Sequence, residues 1–124
     1  HSILTSAAFE KIPNLRFAFL EAGCGWVPYL VRQVGRDNGR RRKAKDPIEY
    51  FKAGRVFVTC EADEDINRVA ELIGEDSFVL GSDYPHGDPS RQEDMVAEFR
   101  DRKDLSPRMV EKMLSDNPKR LYGL

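Results

Sequence analysis

A parallel α/β fold is what this sequence of 124 residues predicts, and three observations carry the expectation. Three short apolar runs, "LRFAFL" (15–20), "VFVTC" (56–60) and "FVLGS" (78–82), are closer to continuous than to alternating. That is the pattern of strands buried on both faces, as parallel strands are. Segments of helical period follow the runs, so strand and helix alternate along the chain. Each run also gives way to an acid: Glu21 after the first, Glu61 after the second and Asp83 after the third.

After the first run, "WVPYLVRQV" sets Val27, Leu30, Val31 and Val34 at helical spacing, one apolar face of a helix expected to end near "GRDNGR". Residues 36–54 carry the weakest pattern and read as a loop with one short helix at "PIEYF". The basic run there, Arg40, Arg41, Arg42, Lys43 and Lys45, reads as a solvated loop or helix end balanced by acids elsewhere. After the second run, "ADEDINRVAELIGED" repeats the helical spacing with Ile66, Val69, Ala70 and Ile73. Asp63 is the expected N-cap, Glu64 and Asp65 suit the positive end of the helix dipole, and Gly74 suits the C-terminal cap. After the third run come a helix around "EDMVAEFRDR" and another in "LSPRMVEKMLSDNPKRLYGL". Ser106 can cap this last helix, Pro107 fits its first position, and Val110, Met113 and Leu114 face inward. Asn117-Pro118 is expected to break it before a final short turn. No linker or shift in composition divides the chain, so 1–124 reads as a single unit.

Composition narrows the function. A formal net charge of −1 gives no electrostatic reason to expect nucleic acid or an anionic membrane as partner. No apolar stretch approaches the ~20 residues that cross a bilayer, and no signal segment is visible, so a cytoplasmic location is the expectation. Cys24 and Cys60 lack a CxxC spacing and read as small buried side chains.

Parallel strands end on one side of their sheet, so Glu21, Glu61 and Asp83 are expected to gather around one crevice. Any one of them could cap a helix or pair with a lysine. Three in equivalent places repel one another unless a cation, a shared proton or a substrate group offsets them. That points to a metal or general-base site. The stretch "FVLGSDYPHGD" (78–88) adds His86 and Asp88 close behind Asp83. His86 fits two readings, a loop histidine closing the turn with Pro85 and a member of the site. Trp26 and Tyr84 each follow a strand end and suit either a wall of the core or a surface against substrate.

The segments "NLRFAFLEAGCGWVPYL", "VFVTCEADED", "GSDYPHGD" and "NPKRLYGL", in that order, resemble the C-terminal part of the amidohydrolase-related branch of the amidohydrolase superfamily. That branch includes metal-dependent hydrolases and enzymes similar to aminocarboxymuconate-semialdehyde decarboxylase. The resemblance implies the C-terminal three βα units of a (β/α)8 barrel, with a divalent metal, zinc or manganese, at the strand ends. It implies that Asp83 binds the metal or the water activated there, making it both catalytic and metal-linked. His86 and Glu61 join it as catalytic candidates, while Glu21, Trp26 and Tyr84 are candidates for contact with substrate. The family's HxH ligand pair has no counterpart in this sequence. Related decarboxylases also carry a histidine near the place of Ala22, where Glu21 is the candidate substitute. His1 matches a histidine the family places upstream of "FEKIPNLRF" and is not counted as a ligand.

The activity implied is hydrolysis of a small organic substrate by metal-activated water. Decarboxylation of an aromatic or enoic acid, or an inactive assembly module, are the alternatives. A closed barrel takes about 250 residues, so these three units are expected to need the missing N-terminal barrel half, a partner chain or a homo-oligomer.

Overall fold

The computed structural model describes residues 1–41, 45–87 and 93–124, and the side chains of all of these except 38–41. Asp88, and Arg42 and Lys43 of the basic run, lie outside the described residues.

Two short helices, α1 (Ser2–Thr5) and α2 (Ala8–Lys11), lead into β1 (Phe17–Phe19). Next come α3 (Val27–Arg41), α4 (Pro47–Lys52) and β2 (Val56–Cys60). α5 (Ile66–Ile73) and a 3-10 turn (Glu75–Ser77) precede β3 (Phe78–Leu80). Helix α6 (Met95–Asp101) follows, then α7 (Pro107–Glu111), a π-helical turn (Lys112–Asp116) and α8 (Asn117–Tyr122).

The strands form one sheet in the order β1-β2-β3, and both pairings are parallel. Phe17 lies opposite Val56, and Val58 opposite Phe78. β2, flanked on both sides, is buried along its whole length, whereas β1 is only half-buried. Residues on β2 alternate between faces. Val56, Val58 and Cys60 join the main core with Val27, Phe51, Ile66 and Phe78, while Phe57 and Thr59 belong to the opposite face.

Local signals place the helices, with two corrections. Asp65, not Asp63, is the N-cap of α5, its carboxylate accepting from the Arg68 N–H at 3.2 Å. A turn closed by the Glu64 N–H on the Glu61 carbonyl intervenes, which delays the helix to Ile66. Gly74 ends it at φ +82°, a left-handed conformation that suits glycine. Ser106 caps α7 through the Met109 N–H, and Asp94 caps α6 through the Ala97 N–H.

The second correction concerns Pro118, which does not break the last helix. The Asn117 N–H reaches back to the Lys112 carbonyl, one residue further than an α-helical bond. The wider π turn shifts the ladder just ahead of the proline, and α8 continues from it. Asn117, fully buried, donates through Nδ2 to the carbonyls of Glu75 and Phe78 at 2.9 and 2.8 Å. Its amide ties this helix to the entry of β3. Among the described residues no helix is long and apolar enough to cross a membrane.

Removing the Asn117 amide strands two carbonyls inside the protein. Asn117→Ala is therefore expected to lower the unfolding free energy by about 2–3 kcal/mol in urea titrations of the intact protein. A loss under about 0.5 kcal/mol would mean that the amide is not what holds the helix to β3.

Candidate active site

The rim of the sheet is built from residues that leave the strands abruptly. Glu21, just beyond β1, has φ +57°, and Asp83, just beyond β3, has φ +53°. Both are non-glycine residues in the left-handed region, which costs about 1–2 kcal/mol each relative to ordinary helical geometry. Backbone of this kind persists where the surroundings over-determine it, and such residues cluster at functional sites.

The surroundings here are specific. The His86 backbone N–H donates to the Asp83 carbonyl at 2.9 Å, closing the turn, and His86 Nδ1 lies 2.7 Å from Asp83 Oδ1. The Asp83 side chain is only 10% exposed while that of His86 is 60% exposed, so a nearly buried carboxylate orients an accessible imidazole. In the tautomer this bond favours, Nδ1 carries the proton and Nε2 the lone pair.

One donor atom each from Glu21, Asp83 and His86 lie within 4.8 Å of one another. Glu21, Glu61 and Asp83 also line one recess of about 20 Å³ with Thr59, Cys60 and Gly81. A space of that size holds one water or one ion. The expected gathering of the three acids is what the structure has. A wider crevice of about 280 Å³ shares these walls and extends past Tyr84 to Leu121 and Tyr122 of α8.

These residues fit a divalent cation. Two carboxylate oxygens and an imidazole nitrogen are the donors that zinc and manganese take. Thr59 is 6% exposed, and its hydroxyl has no hydrogen-bond partner among the described residues. A buried hydroxyl beside the recess has room for one more polar contact.

The other candidates take different places. Glu61 lines the recess but stands outside the three-donor group. Trp26 packs edge-to-face on Phe19 at 4.9 Å and donates its indole N–H to the Gly23 carbonyl. It braces the β1 loop and is not among the residues lining the crevice. Tyr84 is 78% exposed at the crevice. His1 lies 3.0 Å from Asp37 through Nε2, away from the group. Gly81 is not demanded by a clash, since a Cβ there would meet Thr59 Cγ2 at an ordinary 3.5 Å.

A family model described as amidohydrolase matches the chain over residues 1–124. The chain belongs to the amidohydrolase family. Its fold matches an amidohydrolase from Mycobacterium avium subsp. paratuberculosis K-10 with a TM-score of 0.85 and 25% identity, covering 99% of this chain and 31% of that one. It also matches a 5-carboxyvanillate decarboxylase from Novosphingobium aromaticivorans DSM 12444, crystallised with manganese and 4-hydroxy-3-methoxy-5-nitrobenzoic acid. There the TM-score is 0.72 at 23% identity, covering 98% of this chain and 36% of that one. The chain thus spans about a third of the length of these structures, as three βα units of an eight-unit barrel do.

Two features of this amidohydrolase rim escaped the sequence reading. Thr59 could have been noticed as the single hydroxyl in an otherwise apolar strand. Glu64, expected only to favour the helix dipole, instead accepts backbone N–H bonds from Cys24, Gly25 and Glu61. Cys24 and Cys60 are buried as expected, and they form a second donor group with Glu64. Burial pushes the Cys60 thiol up, as does the adjacent Cys24, which favours the protonated form over a metal-binding thiolate.

The left-handed backbone at Glu21 gives a test independent of activity. Glu21→Val places a β-branched side chain there and is expected to lower stability by about 2 kcal/mol, whereas Glu21→Gly should stay within about 1 kcal/mol of the parent. Equal losses in urea unfolding would show that residue 21 carries no backbone strain.

Proposed function

We propose that this chain forms the C-terminal part of a metal-dependent amidohydrolase that hydrolyses a small organic substrate with activated water. The observation that carries this reading is that Glu21, Asp83 and His86 bring one donor atom each within 4.8 Å of one another at the strand ends, where Glu21 and Asp83 also line a recess of one-ion size. Asp83, with Glu21 and His86 beside it, would hold the divalent cation, zinc or manganese. When bound, such a cation supplies Lewis acidity to the substrate carbonyl and makes the attacking water more acidic.

The protein's own groups do the rest. Asp83 takes the proton from the attacking water, and the contact between its Oδ1 and His86 Nδ1 keeps the imidazole aimed. Glu61, on the wall of the recess, fixes the water by hydrogen bonding. Tyr84 offers a ring face to substrate in the wider crevice, and Glu21 faces its polar groups. Trp26 supports this surface from behind through the β1 loop.

The same rim would serve decarboxylation of an aromatic or enoic acid, the type of activity named for the Novosphingobium neighbour. Release of carbon dioxide rather than of a carboxylate or amine would select that reading.

In the intact enzyme, Asp83→Asn is expected to fold normally, because asparagine tolerates left-handed backbone. It should lower turnover at least about 100-fold, as loss of a general base does. Full activity at unchanged metal content would reduce "SDYPH" to a turn.

The outer edges of β1 and β3 have no strand partner among the described residues. We take the missing barrel half, supplied by further chain or by a partner, to cover them. Residues 1–124 alone are expected to self-associate or bind a hydrophobic dye, and to bind zinc or manganese weakly. A dye-negative monomer in sedimentation would contradict this.

A further inference from the structure

We infer that Glu64 is a positioning residue for the strand-end carboxylates: one side chain locks together the two loops that present Glu21 and Glu61. The inference rests on the metal-dependent reading above and adds a residue outside the recess to it.

The geometry is a clamp between successive βα units. Glu64 Oε1 accepts the N–H groups of Cys24 and Gly25 at 2.8 and 2.7 Å. Oε2 accepts the Cys24 N–H at 2.9 Å and the Glu61 N–H at 3.0 Å. Three backbone amides, two on the loop after β1 and one at the end of β2, thus converge on a single carboxylate. Charge-assisted bonds of this kind are the strong class, and the carboxylate sits against the buried thiols of Cys24 and Cys60, with its Gly25 bond on the solvent side.

The loop closes tightly around this clamp. Gly23 has φ +60°, and a Cβ at that position would stand 2.6 Å from Glu64 Oε1. Glu21, two residues earlier, holds its left-handed φ of +57° with this anchored segment directly behind it. The Trp26 indole bond to the Gly23 carbonyl secures the same loop from its other side. Glu64 therefore supplies the external constraint that strained backbone at Glu21 requires, and the same carboxylate fixes where β2 hands over to Glu61. Both residues line the recess, so their separation is set by a side chain that does not line it.

The test is titration of the intact protein with manganese chloride by calorimetry, for the parent, Glu64→Gln, Glu64→Asp and Asp83→Asn. Amide hydrogen exchange is followed on the same samples. Glu64→Gln keeps the length but offers one acceptor oxygen to three amides, and Glu64→Asp keeps the charge but shortens the reach. Each is expected to weaken manganese binding about 10-fold or more, the usual cost of losing a partner that orients ligands. Exchange should accelerate at Cys24, Gly25 and Glu61 and stay unchanged in α7 and α8. Asp83→Asn distinguishes loss of the cation site itself from loss of the clamp behind it. If it weakens manganese binding while both Glu64 variants, folded, bind as the parent does, Glu64 is only structural and the inference fails alone. If Asp83→Asn also binds as the parent does, the metal-site reading fails and takes the inference with it. Should Glu64→Asp not fold, the near-isosteric Glu64→Gln decides the matter.

Discussion

Because β1, β2 and β3 run parallel, everything that ends them shares one rim. The register pairs Phe19 with Val58 and Cys60 with Leu80, so Glu61 and Gly81 leave the sheet side by side and Glu21 leaves it on the flank of β2. An antiparallel neighbour would have sent its terminal acid to the far edge. Parallel pairing alone brings the acids to one end but does not bring their side chains together. That takes the left-handed turns at Glu21 and Asp83, which bend the chain across the rim.

Those turns set up the electrostatics. Several carboxylates around a small recess repel one another, and contacts at the rim offset part of the cost. Asp83, on the recess, has an imidazole against one oxygen, and Glu64, outside it, has its charge satisfied by three amides. Arg102, near the rim, serves a corner instead. Arg102 forks onto Asp104 and reaches the Ala62 carbonyl, and its bond to Asp104 raises the guanidinium pKa while lowering that of the carboxylate. Lys112 bridges Glu75 and Asp76 at the entry of β3, the end of the sheet opposite the recess, and the Glu75 bond raises its pKa. A recess lined by acids, with Arg102 engaged by Asp104, is suited to a divalent ion.

Much of this was legible in the sequence, for identifiable reasons. The strand runs stood out because a buried parallel strand has no polar face to interrupt it, and the acids stood out because each ended such a run. Ser106 and Gly74 were readable because capping is local. Asp63 was mistaken for the cap because "ADED" offers three acids in four positions and only the turn at Glu61 decides among them. The break expected at Pro118 yields to a π turn because the buried amide of Asn117 holds the helix to β3, a contact that lies about 40 positions away in sequence. Glu64 was invisible as a clamp for the same reason: its partners are backbone amides, which carry no signature of residue type.

The central claim is that Asp83, Glu21 and His86 form one cation site. Anomalous diffraction from crystals of the intact protein grown with manganese tests it most directly. A peak is expected about 2.0–2.3 Å from an Asp83 carboxylate oxygen, with Glu21 or His86 also in contact. A peak that avoids Asp83, or one that settles instead between Cys24, Cys60 and Glu64, would contradict it.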